Sequence, residues 1–424
     1  MDNSVTAATL DRRQLLERTL SAVGLSLALP GLDCLRADLR GPRRPTSLIT
    51  LSLAGGPSQL ETWDPHPGSR IGGPTKAIKT RQPDLKIAAD YPRTAEVIHE
   101  LSVIRSLVSL EGDHARGSYL VKTGYRPDQT LQHPSLGAIL ARERWDTSIE
   151  IPQHVTLGGG PAPSRGGFLG AQYDAFKIFD PGRRLSNLEP RVAPPRQSRR
   201  LEGLEFVTGI FRRGRKVATD RTQHQLTVTR ALAMMNSTQL KAFRIDLDNE
   251  SASTIAAYGD SPFGRGCLVA RRLVQAGIRA IEVTLPGWDT HTNNFGGHQQ
   301  QARILDPALA ALVKDLKQHD LLDSTIVLVL GEFGRTPTVN PLDGRDHWPT
   351  GFSCLVGGGG LPAGRILGGT DPTGRKQQPT QPVSIADLFA TILRRMGVEH
   401  DKEVMTPVGR PMAYCEGKPV PGLL

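Results

Sequence analysis

The chain has 424 residues, 38% of them hydrophobic and 5% aromatic, with 45 Gly, 32 Pro and a formal charge of +10. This is a globular, loop-rich composition, long enough for one large domain or two ordinary ones, and too poor in aromatics for an oligonucleotide-stacking platform. The arginine excess, concentrated in Arg183–Arg221 without a zinc-finger or other nucleic-acid signature, suits either a solvated basic surface or attraction to anionic partners.

Residues 11–38 open on Arg12-Arg13 and continue into the mildly apolar stretch Thr19–Leu32, which is too short and polar for a membrane span. Residues 1–40 therefore read as a signal peptide of the twin-arginine type, which implies a periplasmic or otherwise exported protein. That route carries folded proteins, so a metal could be loaded before export. An amphipathic N-terminus is the alternative. Of the four cysteines, Cys34 would leave with the signal. Cys267, Cys354 and Cys415 are widely spaced and form no CxxC pair, which excludes zinc–thiolate and dithiol motifs.

Residues 41–424 read as a single domain. Ser47–Leu53 is a short apolar run ending at Ala54-Gly55-Gly56-Pro57, a buried first strand and a tight turn. Ala95–Ser106 starts as a helix and runs into a strand at Ser102–Ser106, and Ser135–Glu143 is a helix. Pro181–Arg200 is a Pro/Arg-rich surface excursion, and the basic segment as a whole extends over about 181–221. Helical patterns follow over Gln223–Ala256 and Pro262–Ala276, the latter closed by Gly277. Ile278–Leu285 is a strand, 299–318 a long helix, Thr325–Leu330 the strongest strand, Phe352–Val356 another strand, and Ser384–Gly397 a C-terminal helix. Strands alternating with helices predict a mostly parallel sheet covered on both faces, with ligands beyond the carboxyl ends of the strands.

Chemistry-bearing residues gather at those ends. Asp289 and His291 follow one strand, and a carboxylate oxygen and an imidazole nitrogen are natural ligands for zinc; turn capping by Asp289 is the alternative. Glu332 follows six apolar residues, where a carboxylate is costly unless it is metal-bound or paired, for instance with Arg335. Asp346 and His347 adjoin in a Gly/Pro-bounded loop. With the other two groups they supply the oxygen and imidazole donors a divalent metal needs. In Gly112–Ser118, His114 could be ligand, base or nucleophile, and Arg116 could hold an anion; a structured loop is the alternative.

These segments, taken in order, resemble the family called domain of unknown function 1501. The resemblance rests on Arg12-Arg13, Ala54-Gly55-Gly56-Pro57-Ser58 with Trp63-Asp64-Pro65, His114 with Thr123-Gly124-Tyr125, and Ala270-Arg271-Arg272-Leu273. It continues through Trp288-Asp289-Thr290-His291, Gly331-Glu332-Phe333-Gly334-Arg335-Thr336-Pro337 and Gly344-Arg345-Asp346-His347-Trp348-Pro349. A more distant resemblance is to the alkaline-phosphatase/sulfatase superfamily. Counting back from Thr123-Gly124 puts His114 at the position of the sulfatase nucleophile, and Gln381–Leu388 is similar to the stretch before the superfamily's last helix. The resemblance implies a three-layer α/β/α domain with a mostly parallel sheet. Because His114 is neither Cys nor Ser, a formylglycine or phosphoserine mechanism does not carry over. The first strand also lacks acidic residues at its end, although Ser58, Glu61 and Asp64 follow.

The expectation is an exported metal-dependent hydrolase acting on an anionic sulfate or phosphate ester, small or polysaccharide. Asp289, His291, Glu332, Asp346 and His347 would hold zinc, manganese or calcium. His114 and Arg116 would act in catalysis, and Arg335 and Ser58 would bind the anion. The alternative is a non-catalytic exported binding or assembly protein with a degenerate site.

Overall fold

The computed structural model describes residues 44–424, apart from 161, 184, 216, 218, 219 and 221; the signal-peptide reading of 1–40 lies outside the described residues. Nine strands build the main sheet: β1 (Ser47–Ala54), β2 (Leu101–Val108), β3 (His154–Leu157), β4 (Phe176–Ile178), β5 (Ala280–Pro286), β6 (Thr325–Leu330), β7 (Phe352–Gly358), β8 (Ile366–Leu367) and β9 (Val383–Ser384). Their order is β8-β2-β7-β6-β1-β5-β3-β4, with β9 also beside β2. β1 pairs in parallel with both β5 and β6, whereas β7 runs antiparallel between β6 and β2. The mostly parallel α/β sheet expected from the sequence is present. The direction of β7 was not legible, because an apolar run carries no sign of its polarity.

The sheet is buried on both faces, as parallel sheets require. In β6, Val327 and Val329 join one core, and Ile326, Leu328 and Leu330 join the other. The helices of eight or more described residues are α1 (His114–Thr123), α2 (Leu136–Glu143), α3 (Pro194–Arg212), α4 (His224–Asn236), α5 (Pro262–Gln275), α6 (Asn294–Gln318) and α7 (Ile385–Arg395). α5 and α6 cover the first face, and α2 and α7 the second. Local chemistry sets their ends. Ser261 caps α5 through Gly264 N–H, with Pro262 in the first turn. Ser384 and Asp387 form a reciprocal capping box on α7.

Two sequence expectations are corrected, and one alternative is set aside. The segment after Asp113, for which a structured loop was the alternative, is a helix: Asp113 accepts from Ala115 and Arg116 N–H, and Gly124 ends α1 in the left-handed region. α6 begins at Asn294, five residues before the predicted start, and passes through Pro307. The excursion becomes helical from Pro194. Cys267, Cys354 and Cys415 are free and buried.

Candidate metal centre

β1, β5 and β6 end together, and the loops leaving them form one cluster. The chain after β1 must pass close to the loop after β5. A Cβ on Gly55, whose φ is +119°, would lie 2.4 Å from the Asp289 nitrogen, so only glycine fits there. Likewise a Cβ on Gly344 would lie 1.8 Å from the His291 carbonyl oxygen. These two close approaches bring Asp289, His291, Asp346 and His347 together. His347-Trp348 then pairs antiparallel with Gly334-Arg335, and α1 delivers His114 from the other side.

Three imidazoles share one pattern. His114 Nδ1 lies 2.8 Å from Glu332 Oε1, His291 Nδ1 2.9 Å from Asp346 Oδ1, and His347 Nδ1 2.7 Å from the Gly112 carbonyl oxygen. Carboxylates and carbonyls accept, so each ring donates from Nδ1, and in the neutral tautomer Nε2 then presents its lone pair inward. Those lone pairs meet other acceptors. His291 Nε2 is 3.0 Å from His347 Nε2, and His114 Nε2 is 3.2 Å from Asp289 Oδ2. Asp289 Oδ1 lies 3.3 Å from His291 Nε2 and 3.5 Å from His347 Nε2. His114 Nε2 is buried without a hydrogen-bond partner, since its approach to Asp289 lacks hydrogen-bond geometry.

A cation between these atoms, either a proton or a metal ion, would satisfy them. Ligands about 2.0–2.1 Å from a tetrahedral zinc stand roughly 3.3 Å apart, close to the separations here. His114, Asp289 and His347 each offer an atom within 4.8 Å of the others. The donor set and its orphaned nitrogen therefore fit a divalent ion. The outward hydrogen bond on each ring is the feature that fixes tautomer and orientation in metal-binding histidines.

The electrostatics differ from ring to ring. The hydrogen bond to Glu332 raises the His114 pKa, opposed by burial. Burial lowers that of His347. Burial pushes the Asp289 carboxyl up, but the Arg335 hydrogen bond and charge, with His114 and His291, outweigh it and leave its pKa lowered. The hydrogen bond from His291 lowers that of Asp346.

Several expected roles change. Glu332 is buried, and its Oε1 accepts from both His114 and Gly55 N–H, so it supports a ring instead of facing the centre. Asp346 likewise holds His291. Arg335, expected to bind an anion, is 0% exposed. It donates to the Gly55, Gly56 and Arg345 carbonyls and to Asp289 Oδ1, the last at 2.7 Å, which leaves it a positioning group. Ser58 is fully buried, its N–H on His298 Nε2 and its Oγ accepting from Leu60 N–H, so it faces away from any anion. Glu61 pairs with Arg345, and Asp64 with Arg105 and Thr370. Arg116 is exposed and bonds Glu111 Oε2 through Nε.

Sequence reasoning missed Glu111, Gly112 and Arg126. Buried Glu111 receives Arg116 Nε on one oxygen and Arg126 Nε on the other, at 2.8 and 2.6 Å, with both guanidiniums exposed. A glutamate one residue before a glycine gives no local signal, and the Gly112 carbonyl that holds His347 gives none either.

The fold and this cluster define a three-layer α/β protein with a histidine–carboxylate centre at the carboxyl ends of its parallel strands. The chain belongs to the family described as "Protein of unknown function (DUF1501)", whose model matches residues 45–424. No curated protein matches it. Among solved structures it is similar to the lipoteichoic acid synthase LtaP from Listeria monocytogenes, at 11% identity over 89% of this chain and 76% of that one, with a TM-score of 0.39. It is also similar to the PsFucS1 sulfatase from Pseudoalteromonas sp., at 12% identity, 87% and 70% coverage and a TM-score of 0.40. A protein in the alkaline phosphatase superfamily from Vibrio parahaemolyticus matches at 12% identity, 85% and 68% coverage and a TM-score of 0.40.

Proposed function

We propose that the protein is a metal-dependent hydrolase of anionic esters, sulfate or phosphate, with His114, Asp289, His291 and His347 as the ligands. One observation carries the reading: three imidazoles and a carboxylate bring their inward atoms together, while every ring is held on its outer nitrogen. Three imidazoles and one carboxylate suit zinc or a similar transition ion. They suit calcium poorly, because calcium takes six to eight oxygens. When bound, such an ion supplies Lewis acidity toward an ester oxygen and toward water.

The chain's own residues do the rest. Glu332, Asp346 and the Gly112 carbonyl hold the rings, and Arg335 fixes Asp289 and keeps it ionised. Arg116 and Arg126 hold the ester's charge, because their Nε groups are tied to Glu111 while their terminal nitrogens face solvent. Export rests on Arg12-Arg13 and the apolar stretch that follows.

The test is elemental analysis of the purified protein, followed by turnover of a panel of sulfate and phosphate esters. About one equivalent of zinc, or of manganese or iron, is expected, lost in His347→Ala and Asp289→Ala together with turnover. A metal-free protein whose behaviour is unchanged by both substitutions would remove the reading. The second reading, a binding protein without turnover, is favoured by the engagement of His114 in the cluster, where it serves as a ligand and not as a free nucleophile. A metal-loaded protein inert on the whole panel would select it.

A further inference from the structure

Helix α3 has no buried residue over its 19 positions. Phe206 is 70% exposed, Val207 62%, Ile210 49% and Phe211 57%, and Val217 in the following turn is 69% exposed. At 100° per residue these four helical side chains share one side of α3, with Arg196, Arg199 and Arg200 nearer its start, all within an arc of about 140°. Arg213 follows just past the end, also exposed. The face is thus segregated along the helix, with arginines, then an apolar patch, then arginine again. The opposite side packs toward α4, where Leu201, Thr208, Val228 and Leu232 line the groove between the two helices.

Charge follows the same segment. Residues 181–221 hold eleven Lys and Arg against four Asp and Glu, seven of the chain's ten excess positive charges. An exposed apolar patch of this kind marks an interaction surface, and flanking arginines fit a partner that is greasy beneath and negative at its surface. No helix among the described residues is long and apolar enough to cross a membrane, so α3 can lie on one and not span it.

We propose that the α3–α4 hairpin docks the protein on an anionic phospholipid surface. Phe206, Val207, Ile210 and Phe211 enter the headgroup–acyl boundary, and Arg196, Arg199, Arg200 and Arg213 meet lipid phosphates. The binding is independent of the metal centre.

The purified protein is mixed with sedimentable vesicles of phosphatidylcholine, with or without phosphatidylglycerol, at low and high salt. Pelleting with the anionic vesicles is expected, and it should weaken by tenfold or so on neutral vesicles and again at high salt. A Phe206→Ser, Phe211→Ser double variant should lose at least about tenfold. Arg199→Gln and Arg213→Gln should each lose roughly fivefold. All four side chains are exposed, so thermal unfolding should not move. Three outcomes overturn the proposal. One is protein that stays in solution with anionic vesicles at low salt. Another is pelleting indifferent to both sets of substitutions. The third is a lipid-free dimer by light scattering that the phenylalanine variant converts to monomer, which assigns the face to a second copy of the chain.

Discussion

One helix and one strand serve two polar clusters of opposite character. α1 begins with His114 in the centre described above and carries Lys122 in its last turn. β5 bears Glu282 mid-strand and is followed by Asp289. Between the sheet and α1, Lys122 Nζ lies 2.6 Å from Glu282 Oε1, and Ser164 Oγ donates to Glu282 Oε2 at 2.6 Å. Burial pushes the Glu282 carboxyl up, but the Lys122 charge and hydrogen bond, with Ser164, outweigh it and keep it ionised. That cluster is closed, every charge meeting its opposite. At the sheet end ring nitrogens and a carboxylate crowd together, and the cluster leaves room for an added cation. A closed polar network is explained by stability, whereas an open one asks for a ligand.

The closed cluster predicts the largest effect. Glu282→Gln leaves a largely enclosed ammonium, its side chain 11% exposed, without its counter-charge and should cost about 3 kcal/mol in urea unfolding, much of it recovered in a Lys122→Met, Glu282→Leu double variant. In metal-free protein His347→Ala should cost about 1 kcal/mol or less, because the lost Gly112 hydrogen bond is offset by removing one of two opposed lone pairs. Equal costs for the two substitutions would erase the distinction between the clusters.

Zinc sharpens the comparison from the other side. A ligand bound only by the native state, at a hundred times its Kd, adds about 2.7 kcal/mol. Thermal unfolding of metal-free wild type should therefore rise with zinc. Glu282→Gln should start lower and show the same increment, whereas Asp289→Ala and His347→Ala should show little. An increment that survives in Asp289→Ala would place the ion elsewhere.

Proton linkage divides the histidines by sign. Burial lowers the pKa of His154 and His298, the latter also accepting Ser58 N–H. Their stabilising contribution is complete above the unfolded value of about 6.5 and is lost as pH falls through the folded pKa. His114 has its pKa raised by Glu332, so in metal-free protein its contribution is complete below about 6.5 and lost as pH rises through the folded pKa. Each group bends the stability profile by at most about 1.4 kcal/mol per pH unit. Unfolding measured from pH 5 to 8 should show the acid limb flattened in His298→Gln and the neutral limb flattened in His114→Asn. Unchanged limbs would mean that these rings do not carry the linkage.

What the sequence disclosed follows from where the information is local. Thr325–Leu330 reads as a strand to the residue, because a β-branched threonine and five successive apolar residues leave no other pattern. Pro262–Gln275 reads as a helix because its apolar stripe, Ser261 cap and following Gly277 agree. α6 was read short because Gly296 and Gly297 weaken the helical pattern in its first turn, while tertiary packing carries the helix through them and through Pro307. β3 and β4 are four and three residues long, too short for an alternation to stand out. At the site, residue types and strand-end positions exposed Asp289, His291, Glu332, Asp346, His347 and His114 as a group. Which carboxylate faces the centre and which braces a ring depends on side-chain direction across loops far apart in sequence. That is set by the close approaches at Gly55 and Gly344 and by Arg335, and a single sequence does not encode it locally.

The smallest stability effect belongs to the exposed arginines. Arg116 and Arg126 each make one ion pair to Glu111 with a solvent-exposed guanidinium, so either alanine substitution alone should cost at most about 1 kcal/mol. The carboxylate beneath them is buried, and while one arginine remains it keeps a counter-charge. Burial pushes the Glu111 carboxyl up, and the hydrogen bonds from Arg126 and Arg116 with their charges more than offset this. Removing both arginines strands a buried charge, so the double variant should cost more than the two singles together. Function should respond in the reverse proportion. If the two guanidiniums hold the ester's charge, Arg116→Ala should raise KM for sulfate or phosphate esters by tenfold or so while leaving zinc content intact. An additive double variant with unchanged KM would make this pair a surface salt bridge and remove it from the site.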